Sequence, residues 1–424
     1  MMVMKSYLSA MRENIIRWAD DIGKADILIG IPCYNNESTI EHVFTTVAEG
    51  LHKHFPDKTK AILVSDGGSL DDTREVIESS SIPDDVHKNV GIYRGIPGKG
   101  TSIRAIFQTA EKLEVKGCAI FDSDLRNISD HWVKDMIEPI LSGEADYLTP
   151  FYSRHKYDGT ITNNIVYPMV RAIFGQNVRQ PIGGDFGFSG EMAKYFANKH
   201  VWDTDVAKFG IDVWMTVTAM GEGFKLAQVN LGRKIHDAKD PASDLGPMFF
   251  QVVSTLFYLI GYFEKTWRDR EEKIDIPVIR DNAELPDIQP IKTNIKKAIS
   301  EFVDGFKHFD SFYRQILDHT NYSALKDIAD ETIANNRNHL NFKFSSELWA
   351  KILYDFAFIF QTWNRNRRRL VDIMTPLYFG RTAAYCLEVK DMTDEEAEKI
   401  VQAQAEKFEE LKDYLGNKFT LWDE

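Results

Sequence analysis

Three short runs of Ile, Val and Leu, each closed by a polar turn, constrain this chain more than any other feature. They are Ile27-Leu-Ile-Gly-Ile31, Ala61-Ile-Leu-Val64 and Cys118-Ala-Ile-Phe121, and their length and branching suit strands buried on both faces of a parallel sheet. Between the first two, Ser38-Thr-Ile-Glu41 reads as a capping box that opens a helix, with Ile40, Val43, Phe44 and Val47 on one face. Asp72-Thr-Arg-Glu75 gives a similar start after the second run. Strand, helix, strand, helix is the rhythm of a doubly wound α/β domain. Ligands of such sheets gather beyond the carboxyl ends of the strands, and Pro32 to Glu37, Ser65 to Asp72 and Asp122 to Arg126 fall there.

From about residue 245 the apolar spacing becomes helical, as in Ile295, Ile299, Phe302, Val303 and Phe306, and again in Leu348, Ile352, Leu353 and Phe356. The expected division is a catalytic domain over 1–245 and a helical domain over 246–424. The most apolar run, Met248 to Phe263, includes Gln251, Ser254 and Thr255 and is too short for a membrane span, so a buried helix is expected. Ile276 to Pro290 reads as an irregular connection and Asp391 to Leu415 as a charged, solvated helix. Trp349, Phe356, Phe358 and Phe360 are available for a subunit interface, giving a possible homodimer, or for packing within the chain.

The 424 residues carry 51 Lys+Arg against 64 Asp+Glu, a formal charge of −13. No global positive field gathers nucleic acid or an anionic membrane, so neither is an expected partner, and a bound anion needs a local site. Cys33, Cys118 and Cys386 lack metal-ligand spacing and suit small buried thiols in a reducing compartment. Met1 to Gly23 lacks the apolar core of an export signal, so a cytoplasmic location is expected.

Asp122-Ser-Asp124 closes the third apolar run with two carboxylates on one side of the chain, which suits a divalent cation bridging a diphosphate, or else an Asx turn. Pro97-Gly-Lys-Gly100, with a helix from Thr101, has the makings of a small anion cradle in which Lys99 adds a point charge. It is not a Walker loop. Asp66 at the second strand tip is a candidate for bonding a base or ribose, while Gly67 to Asp72 serve equally well as a turn and cap.

In this order, Pro32-x-x-Asn35-x-Glu37, Asp66, Lys99 and Asp122-x-Asp124 resemble the nucleotide-sugar glycosyltransferases of the GT-A fold. Gln180-Pro-Ile-Gly-Gly-Asp185, Phe209-Gly-Ile-Asp212 and His236 extend the resemblance to the retaining glycerate glycosyltransferases, namely the mannosylglycerate, glucosylglycerate and glucosyl-3-phosphoglycerate synthases. The resemblance covers roughly 27–240. It implies a GT-A domain with a helical extension and a donor site at Pro32, Asn35, Glu37, Asp66, Lys99, Asp122, Ser123 and Gly184. It also implies a divalent cation, Mg2+ or Mn2+, held by Asp124 and His236, and catalytic roles for Asp124, Asp212, Asp185 and Lys99. GDP-mannose, GDP-glucose or UDP-glucose is the implied donor.

Arg154-x-x-x-Asp158-x-x-x-Thr162 matches the spacing by which the mannosyl enzymes hold D-glycerate, and a guanidinium grips a carboxylate while two short polar side chains orient hydroxyls. The phosphoglycerate enzymes carry a basic residue and an asparagine where this chain has Thr160 and Ala238, so free glycerate or a related small hydroxy acid is the expected acceptor. Two departures are Asp185 in place of a glutamate, and the absence of a tyrosine from Asp237-Ala-Lys-Asp240. Two other readings compete. One is an inverting GT-A transferase acting on a polysaccharide or lipid. The other is a nucleotide-binding scaffold without turnover, whose Arg365-Asn-Arg-Arg-Arg369 beside Trp363 would meet a partner or form a solvated helix face.

Overall fold

The computed structural model describes residues 9–236, 246–270, 273–280, 285, 291, 293–335, 337 and 341–423. The chain divides into two compact units that exchange segments: Met1–Ser153, Ile182–Asp237 and Ile276–Asp287 form the first, and Arg154–Pro181, Ala238–Asp275 and Ile288–Glu424 the second. The expected single cut at 245/246 differs from this division, which groups 154–181 with the helical segments and 276–287 with the first unit.

The first unit alternates α1 (Glu13–Ile22), β1 (Ile27–Cys33), α2 (Ile40–His54), β2 (Lys60–Asp66), α3 (Thr73–Ser79), β3 (Val86–Ile92), α4 (Lys99–Lys112), β4 (Gly117–Ile120), α5 (Asp130–Leu141) and β5 (Tyr147–Ser153). A π-helix (Thr162–Val166) and α6 (Tyr167–Phe174) of the second unit follow. The chain then returns through β6 (Phe186–Ser189), α7 (Gly190–Ala197), a 3-10 turn (Asp205–Ala207), α8 (Ile211–Gly221) and β7 (Leu226–Arg233). The sheet order is β3-β2-β1-β4-β6-β5-β7-β8, with β6 antiparallel to both neighbours. β8 is Val278–Ile279, so the segment read as irregular supplies an edge strand beside β7.

The expected α/β architecture is present. β1 and β2 are buried at every position, as runs of branched residues covered on both faces require. Ile40, Val43, Phe44, Val47 and Leu51 of α2 are all 0% exposed against this sheet. The helix starts, however, lack the expected caps. Thr39, the residue before α2, makes no side-chain cap bond, and its hydroxyl donates to the Ser123 carbonyl at 2.9 Å. Asp72 likewise makes none; its amide donates to the Glu37 carboxylate at 3.1 Å. A tie between loops replaces the cap at α2, whereas at α3 Asp71 Oδ1 accepts from the Thr73 amide at 3.2 Å, one residue earlier than expected.

In the second unit, α9 (Gly246–Tyr262), α10 (Glu264–Arg268), α11 (Ile295–Ile316), α12 (His319–Ala334), α13 (Ser346–Thr362), α14 (Arg367–Glu388), α15 (Asp394–Glu410) and α16 (Lys412–Asp423) complete the helical extension. Ile299, Phe302, Val303, Ile352, Leu353 and Phe356 are 0% exposed, as their spacing predicts. Trp349 and Phe360 also pack inside this unit, and the Trp349 indole N–H donates to the Asn164 carbonyl at 2.6 Å. The charged segment near the C-terminus splits into α15 and α16. α15 begins with a capping box at Thr393 and Glu396 and buries Ala397, Val401, Ala405 and Phe408. No helix among the described residues is long and apolar enough to cross a membrane.

Candidate active site

β2, β1 and β4 lie side by side and parallel, so the polar segments after them converge at one edge of the sheet. Pro32 is buried near the end of β1, beyond the pairing with β4, which ends at Gly30. Its missing N–H therefore breaks no bond to that strand. Asp66 is 0% exposed, and its carboxylate accepts from the amides of Gly68 and Ser69, both at 3.0 Å, and from the Ser69 hydroxyl. Expected to meet a base or ribose, Asp66 here holds its own turn.

Asn35 and Glu37 also join loop to loop. Asn35 Oδ1 accepts from the Leu70 amide at 2.9 Å, and the Asn35 amide donates to Ser69 Oγ at 2.9 Å. Ser123 Oγ donates to Asn36 Oδ1 at 2.8 Å. The bonds of these residues are to one another's loops.

The glycines of Pro97-Gly-Lys-Gly100 face protein rather than an open anion cradle. The Gly100 amide donates to the Lys208 carbonyl at 3.1 Å, and a Cβ at Gly100 would lie 1.8 Å from the Val206 carbonyl oxygen. α4 starts at Lys99 and carries that ammonium to a cluster of carboxylates: Lys99 Nζ is 2.9 Å from Asp122 Oδ1 and 3.3 Å from Asp212 Oδ2.

Asp122 has a second ammonium on its other oxygen, Lys234 Nζ, at 2.7 Å. Lys234, only 6% exposed, also donates to Asp185 Oδ2 at 2.8 Å and to the Gly183 carbonyl at 3.0 Å. Asp185 is 0% exposed and further accepts from the Asp122 amide at 2.8 Å and the Tyr152 hydroxyl at 2.6 Å. Its contacts within the chain fix Asp122 and Lys234. Gly184 has φ +92°, and a Cβ there would stand 2.1 Å from Asp122 Oδ2, so glycine is what permits this close approach.

The charges shape one another. Burial alone would raise the Asp122 carboxyl, but the ammonium groups of Lys234 and Lys99 hold it well below the usual carboxylate range. Burial acts to lower Lys99, and Asp122 and Asp212 outweigh it and raise it. Asp212 is pushed up by burial first, with Lys99 opposing and Asp122 reinforcing the rise. Its Oδ1 is buried without a hydrogen-bond partner among the described residues.

Sequence reasoning missed Lys234 and Tyr152. The available signal for Lys234 was its place just past β7, two residues before His236, matching the polar residues that follow the other strands. Tyr152 lies inside β5 and carried no motif.

Two loops carrying Asp124 and His236 are joined by two hydrogen bonds: the Arg126 amide donates to the Ile235 carbonyl at 2.9 Å, and the Ile235 amide to the side-chain Oδ1 of Asn127 at 2.9 Å. Asp124 and His236 are both partly exposed. A carboxylate and an imidazole form a donor set that suits Mn2+, and Mg2+ where oxygens complete the shell. Asp122, with an ammonium on each oxygen, is the less suitable of the two acids as a ligand.

In the second unit, Arg154 Nη1 pairs with Asp158 Oδ2 at 2.9 Å, and Thr162, 5% exposed, opens the π-helix. The segment is anchored in its own unit, since Lys156 Nζ donates to the Val389 and Met392 carbonyls at 3.0 and 2.6 Å. Thr160 is 2% exposed, and its hydroxyl lies 2.7 Å from that of Tyr378. Ala238 and the loop Asp237 to Asp240 lie outside the described residues.

Residues 28–202 match the family model for glycosyl transferase family 2. The glycosyltransferase AglD of Haloferax volcanii is 24% identical over 249 residues, which is 55% of this chain and 37% of that protein. The chain thus spans little more than a third of that curated relative. Among solved structures, glucosyl-3-phosphoglycerate synthase from Mycobacterium tuberculosis with Mg2+ and UDP is 24% identical, with a TM-score of 0.44 over 58% of this chain and 83% of that one. The same enzyme with Mn2+, UDP-glucose and phosphoglyceric acid gives 23%, 0.45, 60% and 86%.

Proposed function

We propose, from the glycosyl transferase family 2 domain that residues 28–202 carry, that this chain is a metal-dependent retaining transferase moving glucose or mannose from a nucleoside-diphosphate sugar to D-glycerate. The observation that carries this reading is the charge cluster of Lys99, Asp122, Asp185, Asp212 and Lys234 at the carboxyl edge of the sheet. Beside it, the Arg126–Ile235 hydrogen bond links the segments of Asp124 and His236.

Asp124 and His236 would hold the cation, which when bound neutralises charge on the departing diphosphate. Lys99 and Lys234 supply two further positive charges whose orientation Asp122, Asp185 and Asp212 fix beforehand, so little reorganisation is needed as negative charge develops. Asp212 Oδ1, an acceptor with no donor among the described residues, is suited to a sugar hydroxyl. Arg154 would grip the acceptor carboxylate, and Asp158 and Thr162 its hydroxyls. For this, Arg154 shares its guanidinium between Asp158 and the acceptor. Thr160, turned to Tyr378, offers no cation to a phosphate, which favours glycerate over 3-phosphoglycerate.

The test is thermal shift with GDP, UDP and ADP in Mg2+ or Mn2+, followed by turnover with D-glycerate and 3-phosphoglycerate. Transfer to D-glycerate with an α-linkage by NMR is expected; a β-linked product rejects retention, and transfer only to a polymer or lipid rejects the acceptor. Arg154→Ala is expected to raise the KM for glycerate about 10- to 100-fold, the worth of a hydrogen-bonded ion contact, with the donor KM unchanged. Equal shifts in both constants contradict the assignment.

A further inference from the structure

Two sequence features stand outside the proposed chemistry, the apolar run near residue 250 and the arginine cluster near residue 367. The second unit brings them together. α9 (GPMFFQVVSTLFYLIGY) has no charged residue along its 17 positions. Most of it is buried, Ser254 included, and on the i, i+4 ridge of Phe250, Ser254, Tyr258 and Tyr262 only the two tyrosines are exposed, at 44% and 60%, with Phe250 half-buried. Their rings stack at 6.0 Å.

The end of α13 lies alongside, because Gln361 Nε2 donates to the Phe257 carbonyl at 2.7 Å. Just beyond it come Trp363 and the arginines, and Arg368 sits 5.2 Å from the Phe250 ring, at one end of the ridge. Arg367 lies over Phe360 and Arg369 over Phe312, at 4.8 and 5.1 Å.

All four arginines are exposed, and among the described residues none of them pairs with a carboxylate, although acids outnumber bases in this chain. Asp372, one turn further along α14, forms no ion pair with them. Three of the four occupy the first turn of α14, where the helix dipole also disfavours positive charge. Within the described chain these charges meet only aromatic rings and water, so they stay open to an external anion.

We propose that this arginine-flanked aromatic ridge docks the protein on an anionic lipid surface. Tyrosine and tryptophan rings settle at the headgroup level of a bilayer, and an uncharged helix face with arginines at its margin suits that boundary. Each arginine near an anionic leaflet adds attraction that salt screens. A nucleic acid would use the arginines but has less use for an uncharged helix. A second copy apposed through the same face would set arginine against arginine.

The test is flotation of the full chain with vesicles of phosphatidylcholine alone and with a third phosphatidylglycerol. Recruitment is expected only to the anionic vesicles, falling as salt is raised. R367Q/R368Q/R369Q should weaken it about ten-fold or more, and Tyr258→Ser with Tyr262→Ser should do so while circular dichroism and turnover in solution stay unchanged. Absent or charge-independent recruitment, or folded variants that bind like wild type, overturns the proposal. So does a dimer in light scattering that both sets of variants dissolve, or retention of a single-stranded oligonucleotide without vesicle binding.

Discussion

Asp124→Ala and His236→Ala are each expected to lower hexosyl transfer by about two to three orders of magnitude, the range seen when one stabiliser of developing negative charge is removed. Neither change should cost much stability, since both side chains are partly exposed and belong to loops rather than to the core. The double variant separates a shared ion from two independent contributions. If one cation needs both ligands, Asp124→Ala/His236→Ala loses no more than the weaker single variant, because residues acting as a unit are strongly non-additive. Losses that multiply would end the shared-ion assignment. Thermal shift by Mn2+ with UDP or GDP gives a second readout, expected to vanish in all three variants.

How far the sequence reveals this site follows from what each signal depends on. β1, β2 and β4 were readable because central strands covered on both faces must be continuously apolar, and the tips of central strands are where the acids appear. β3 was not, since Val86–Ile92 is an edge strand carrying His87, Lys88 and Asn89. β6 has four residues, with Gly187 among them, too few for a period to register. β8 pairs through two residues only.

Residue types at the site were legible, whereas their partners were not. Lys99 and Asp122 stand out as motif residues, but their pairing joins positions that only the fold brings together. The same holds for Asp66, whose conspicuous place at a strand tip reflects a turn it builds from its own side chain. The arginines near residue 367 and the apolar run near 250 illustrate the limit most plainly: each has an ordinary explanation alone, and only their juxtaposition makes a surface.

Lys234→Met is expected to be the most damaging single change in the first unit, lowering unfolding free energy by about 3–5 kcal/mol in urea titrations and abolishing transfer. Removing one partner of a buried ion pair leaves the other charge uncompensated, and that penalty has this size. Asp185 has 0% exposure and, among the described residues, would retain the Tyr152 hydroxyl and the Asp122 amide as donors. Lys234→Met/Asp185→Asn should recover part of the stability but none of the activity, because Asp122 and the departing diphosphate still lack the ammonium. Recovery of activity would show that Lys234 only neutralises Asp185.

The pH dependence gives an independent check. Asp122 titrates below its unfolded value of about 3.9, so its contribution is complete above that pH and is lost as pH falls toward the folded value. Lys99 titrates above its unfolded value of about 10.4, so its contribution is complete below that pH and is lost as pH rises toward the folded value. From these two groups stability is therefore level between about pH 5 and 9 and declines on either side. With Lys234 gone, the acid-side decline carried by Asp122 should become shallower, because burial then raises its carboxyl against Lys99 alone. An acid limb unchanged from wild type would mean that Lys99, not Lys234, holds Asp122 ionised.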